Sequence, residues 1–124
     1  MSLQIRTSKI EPDVVVLHLS GSITLWPEGQ IAQPFIEDLL EGNEKKIVFD
    51  LAGVDHMDSS GVQLMIQCVS KVRQAGGELR LAGANSKVSR LFQITRLDTV
   101  VPLFSTVALA CEGFAAGQSA ADPA

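Results

Sequence analysis

Residues 47–82 read IVFDLAGVDHMDSSGVQLMIQCVSKVRQAGGELRLA. Ile47 to Leu51 is a short apolar run, the signature of a buried strand. Ala52 to Asp58 reads as a loop. From Ser59 to Ala75 the apolar residues Val62, Met65, Ile66, Val69 and Val72 recur at helical spacing, and Leu64 and Cys68 widen the stripe. Gln63, Gln67, Ser70, Lys71 and Arg73 fill the opposite side. Gly76-Gly77 supplies the helix stop and turn, and Glu78 to Ala82 alternates as a strand does. A strand, a helix and a strand in this order form a crossover unit with parallel strands.

Working outward, Leu3 to Ile10 and Val14 to Leu19 are two further strands, divided by the turn residues Glu11-Pro12-Asp13. Ile31, Phe35, Ile36, Leu39 and Leu40 have helical spacing. A start near Gln30 or Ile31 puts Pro34 in the first turn, where proline is tolerated, and Gly42-Asn43 ends the helix. On the C-terminal side Asn85 to Ile94 is a helix with Val88, Leu91 and Phe92 inward. Val100 to Leu103 is a strand whose Pro102 places it at an edge or a strand end. Ser105 is the expected cap of a last helix to about Glu112. The small, polar residues beyond 113 have no apolar period and are expected to form a flexible tail. The order β-β-α-β-α-β-α-β-α makes the class α/β, with one antiparallel start and otherwise parallel strands.

At 124 residues the chain is expected to be one domain. Apolar residues at 46% and charged residues at 19% are an ordinary globular balance, not a disordered one. The net charge of −4 argues against nucleic acid as a partner, which calls for a basic stripe. It also argues against docking on anionic lipid. No apolar run approaches the roughly 18 residues of a bilayer span, so direct membrane insertion is not expected. Residues 1–13 lack a basic stretch followed by an apolar core, so no secretion signal is read there. A reducing, cytoplasmic setting follows, with Cys68 and Cys111 too far apart for a zinc pair. No cofactor motif is present. Asp55-His56-Met57-Asp58 lacks further ligands for a metal and reads as a solvated loop. Ser59 with His56 or His18 lacks the G-x-S-x-G elbow of a hydrolase, so no catalytic residue is assigned. Lys87, Arg90 and Arg96 form a basic cluster that a solvated helix face explains.

The segment with the most to say is Asp58-Ser59-Ser60-Gly61. Either Asp58 or Ser59 is a natural helix N-cap. One reading is that these residues only start the helix. The other is that a serine is displayed at a helix N-terminus. A phosphate there carries about −1.5 to −2 charges at pH 7, which free N–H groups and the positive end of the helix dipole accommodate. The fold would survive the modification. Its cost would fall on a partner pressed against that face.

The stretch from Lys46 to Phe104 resembles the STAS domain family, and within it the anti-sigma factor antagonists. The D-S-S-G at 58–61, the A-G-G-E-L at 75–79 and the V-x-x-L-F-x-I-T-x-L at 88–97 carry the likeness by their order and spacing. The earlier S-G-S-I-T at 20–24 extends it to roughly residues 3–112. The resemblance implies a small mixed sheet of about five strands with helices mainly on one face; with the small, polar end of the chain set apart, the domain is expected to span residues 1–113 and the tail 114–124. It implies that Ser59 is phosphorylated by an anti-sigma factor with serine-kinase activity. It also implies that the unphosphorylated chain binds this partner to release a sigma factor, and that a PP2C-type, metal-dependent phosphatase resets the serine. The partner surface so implied takes in Ser22, Thr24, Trp26, Asp58, Ser59, Ser60, Gly61 and Asn85. Thr24 departs from the acidic residue that many antagonists carry there, and Trp26 is either an interface anchor or a residue packed over the first helix. The same resemblance admits a second role, as a cytoplasmic accessory subunit of a membrane complex that transports lipids or anions.

Overall fold

The protein is described by a computed structural model covering residues 3–10, 13–24, 29–42 and 44–115, with side chains described outside 29–33 and 113–115. In chain order its elements are β1 (Leu3–Ile10), β2 (Val14–Ile23), α1 (Gly29–Glu41), β3 (Lys46–Met57), α2 (Ser59–Gln74), β4 (Glu78–Ala82), α3 (Ser86–Ile94), a 3-10 turn (Leu97–Thr99), β5 (Leu103–Phe104) and α4 (Val107–Ala115). The five strands lie side by side in sequence order. β1 runs antiparallel to β2, and the other neighbours are parallel.

This consecutive order decides the layering. Each parallel pair is joined by one helix, and crossovers share one hand. Three crossovers stepping the same way across the sheet therefore set α1, α2 and α3 on one face. Ile36 of α1, Leu64 and Met65 of α2 and Phe92 of α3 accordingly share one core with Leu17, Leu19, Phe49, Leu51, Leu79 and Leu81 of the strands. The alternate strand residues Val14, Val16, Val48 and Ala82 point the other way and are covered by Ala110 and Cys111 of α4. The helices thus lie mainly on one face, as expected.

Several boundaries differ from the sequence reading. β3 continues through the segment expected to be a loop. Its pairing with β2 slips twice, once between His18 and Ser20 and once between Gly21 and Ser22. Each slip gives β3 an extra residue, a β-bulge that bends and twists the strand. In consequence Leu51, Val54 and Met57 face the core at intervals of three, while Ala52, Gly53, Asp55 and His56 are exposed. That spacing hides the two-residue period by which a strand is recognised. α1 begins at Gly29, so Pro34 falls in its second turn. Pro34 has no N–H to give the carbonyl four residues back. β5 is the two-residue edge strand after Pro102, and the preceding Leu97–Thr99 is helical. Thr106, rather than Ser105, accepts the Leu109 N–H at 3.1 Å and caps α4. α4 runs on to Ala115, and residues 116–124 of the expected tail lie outside the described residues.

Arg80 holds α4 in place. It is only 1% exposed, on the β4 face that α4 covers. It donates to the Ala110 carbonyl at 2.8 Å and to Glu78 at 3.0 Å, and its guanidinium lies 5.4 Å from the Phe104 ring centre. A buried cation is tolerated only when so paired. Arg80→Ala is expected to cost about 2–4 kcal/mol through lost hydrogen bonds and the cavity left behind. Urea unfolding measures the cost, and hydrogen exchange should show the α4 amides losing protection before those of α2.

Candidate functional site

Where β3 ends at Met57 the chain turns directly into α2. Asp58 is extended, and its carboxylate Oδ1 accepts the Gly61 N–H at 3.0 Å and the Ser60 hydroxyl at 2.6 Å. Its carbonyl takes the Gly61 and Val62 N–H groups at 2.9 and 3.1 Å. Of the two candidate caps, the helix therefore uses Asp58. The Ser60 hydroxyl is the largest influence holding the Asp58 carboxyl below the usual carboxylate range. Partial burial opposes it, and the Gly61 and Ser60 amides and the nearby His56 add to the lowering.

Ser59 is thereby released from structural work. It is the first residue of α2, it is exposed, and no side-chain hydrogen bond joins it to another described residue. Its hydroxyl stands at the positive end of a helix of 16 residues, where an added phosphate is favoured by the helix dipole. Ser60 is half-buried and committed to Asp58.

Gly61 explains why this turn sits where it does. A Cβ at this position would lie 2.2 Å from the Ile23 carbonyl oxygen, so only glycine lets the start of α2 press against the end of β2. Ile23 in turn pairs with Met57. This packing brings Ser22 and Thr24 to the same end of the sheet as Asp58, Ser59 and Ser60. Ser22 and Gly61 are buried, Thr24 is half-buried and Asp58 is exposed. Asn85 caps α3 by accepting the Val88 N–H at 2.9 Å, and its amide donates to the Val54 carbonyl at 3.0 Å. It thus ties α3 to the bulged part of β3. Trp26 lies outside the described residues.

His18 is not with Ser59. Its Nδ1 donates to Asp50 Oδ2 at 2.7 Å, and its Nε2 lies 2.9 Å from Ser8 Oγ. Asp50 also accepts the Ala52 N–H at 3.0 Å, at the first bulge. The three side chains come from adjacent strands β1, β2 and β3, so they stitch the sheet across its hydrogen-bonding direction. Sequence reading missed this relay. The available signal was a lone His and a lone Asp at the same depth in two apolar strands. Among the described residues no three His, Cys, Asp or Glu side chains gather as a metal site needs, and no helix is long and apolar enough to cross a membrane. Cys68 and Cys111 are free and buried, and burial pushes the Cys68 thiol up to about 12, which leaves it unreactive.

Residues 6–110 match the STAS domain family. Over 104 residues the chain is 26% identical to the anti-sigma-B factor antagonist of Listeria monocytogenes, covering 83% of this chain and 90% of that protein. The crystal structure of an anti-sigma factor antagonist from Mycobacterium paratuberculosis superposes with a TM-score of 0.77 at 22% identity, covering 90% of this chain and 93% of that one. The Bacillus cell-fate determinant SpoIIAA in its phosphorylated form superposes at 0.67 with 20% identity, over 90% and 99% of the two chains. The STAS domain of a SulP transporter from Vibrio cholerae gives 0.72 at 18% identity, over 89% and 87%. At these identities the structural likenesses establish the fold.

The cap makes a testable pH dependence. The Asp58 carboxyl titrates below its unfolded value of about 3.9, so its contribution is present above that pH and is lost as pH falls through the lowered folded value. Asp58→Ala is expected to cost about 0.5–2 kcal/mol at neutral pH. Asp58→Asn, which still caps, should unfold near the wild-type urea midpoint at pH 7 and lose less stability than wild type on acidification.

Proposed function

The chain belongs to the STAS domain family, and from that premise we propose that it is an anti-sigma factor antagonist whose partner binding is switched by phosphorylation of Ser59. The observation that carries the reading is the division of labour at the helix start. Asp58 does the capping and Ser59 does none of it, so Ser59 can be modified without unfolding α2. The unmodified chain binds an anti-sigma factor with serine-kinase activity and thereby frees a sigma factor for transcription. The kinase transfers a phosphoryl group to the Ser59 hydroxyl. A PP2C-type phosphatase removes it. The chain acts in the cytoplasm as a binding module and kinase substrate rather than as an enzyme.

Charge explains the direction of the switch. A phosphoserine at residue 59 places about −1.5 to −2 charges on the exposed first turn of α2. A partner that covers this turn must then desolvate a dianion beside the Asp58 carboxylate. Thr24, half-buried at the adjoining end of β2, shapes the same surface in place of an acidic side chain and tunes which partner fits.

The test is a pull-down from native extract with the unmodified chain, Ser59→Ala and Ser59→Asp as baits. The first two should retain a serine-kinase-like anti-sigma factor, and Ser59→Asp should bind it at least about tenfold more weakly, a difference of about 1.4 kcal/mol. Equal affinities for Ser59→Ala and Ser59→Asp would sink the switch. Recovery of permease and ATPase subunits would instead move the chain to a membrane transport complex.

A further inference from the structure

The ten Lys and Arg side chains of this acidic chain are not evenly provided with partners. Lys9, Lys46 and Lys71 pair with carboxylates. Lys45 and Arg73 donate to backbone carbonyls, and Arg80 is buried and fully used. The other four have no ion pair or hydrogen bond among the described residues. Arg6 lies on the edge strand, and Lys87, Arg90 and Arg96 lie on or just after α3. Lys87 stands in the first turn of α3, which has no acidic residue, where the helix dipole already contributes positive potential. The fold gains nothing from a cation there.

Lys87 and Arg90 line a groove of about 270 Å³ between α3 and the bulged end of β3. Met57, Val88 and Leu91 supply apolar lining, Asp55 one carboxylate and His56 an imidazole on the strand side, and Ile94 lines it as well with 68% of its surface exposed. Positions 87, 90, 91 and 94 share one side of the helix. Met57 of the strand wall is followed directly in the chain by Asp58 and Ser59, so the groove adjoins the switch turn along β3.

We infer that this groove receives an acidic segment of the protein partner that carries one large apolar side chain. Its carboxylates meet Lys87 and Arg90, and its apolar anchor covers Leu91 and Ile94. The inference rests on the reading of the chain as a partner-binding module and supplies the chemistry of the bound surface. It also deepens the switch: a phosphate at Ser59 and an acidic partner segment carry the same sign, so the modification repels what the groove attracts.

The test is an NMR titration of the full chain with a short synthetic peptide holding one leucine flanked by glutamates. The control is the same peptide with lysines in place of the glutamates. The glutamate peptide should shift the amides of Lys87, Arg90 and Ile94, bind more weakly as salt is raised, and lose at least about tenfold in affinity with Lys87→Glu/Arg90→Glu. Ile94→Ser, which keeps every charge, should weaken it as well. Absence of shifts at millimolar peptide, equal shifts from the lysine peptide, or the same shifts from inorganic phosphate alone would each overturn the inference. The titration uses chain unmodified at Ser59. Peptide binding with no Ser59 dependence of partner binding would therefore refute the switch and leave the groove standing, and the converse would refute the groove alone.

Discussion

The contact between Gly61 and the Ile23 carbonyl governs the working end of the molecule. Because residue 61 has no side chain, the first turn of α2 packs directly on the last residue of β2, where any Cβ would be 2.2 Å from the carbonyl oxygen. That approach fixes where α2 starts, which end of the sheet the Asp58-Ser59 turn occupies and which β2 residues lie beside it. A second close approach holds the opposite end of α2. A Cβ at residue 77 would lie 2.5 Å from the Lys45 carbonyl oxygen, and that same carbonyl accepts the Glu78 N–H at 2.7 Å. The long helix is thus clamped against the strand layer at both ends, and between its clamps it buries Val62, Leu64, Met65, Cys68, Val69 and Val72.

A rigidly seated helix makes a suitable platform for a reversible charge. The side chains around its start have separate tasks. Asp58 accepts the Gly61 amide, one of the orphan donors that a helix start leaves, Ser60 donates to Asp58, and Gly61 permits the packing. Ser59 is exposed, and its hydroxyl is bonded to no other described residue. A modification there changes the electrostatics of a surface without removing any hydrogen bond that the fold relies on. The bulges of β3 carry the strand past β4 to reach this point, and the Ser8–His18–Asp50 relay braces the sheet where the bulging begins.

Much of this was legible in the sequence because the signals were local. The apolar stripe of residues 62–72, the glycine pair at 76–77 and the alternation of 78–82 each report on their own element, and the resemblance at 58–61, 75–79 and 88–97 pointed to the family whose model matches. The extension of β3 was not legible, because two bulges turn its inward period from two to three. Nor was the choice between Asp58 and Ser59 as cap, since both are good caps and only the geometry of the turn separates them. The buried Arg80 and the His18–Asp50 pair depend on what lies across the sheet, information that no window along the chain contains. The basic cluster on α3 was visible as residues, but its groove was not, because β3 supplies the facing wall.

The most direct test compares amide NMR spectra and hydrogen exchange of the chain with and without phosphoserine at residue 59. If Ser59 is free of structural duty, shifts will be confined to the first turn of α2 and the adjoining ends of β2 and β3, with protection in the rest of α2 and in the sheet unchanged. Loss of protection along α2, or shifts spreading across β4 and α4, would contradict a switch that acts through surface charge on an unaltered fold.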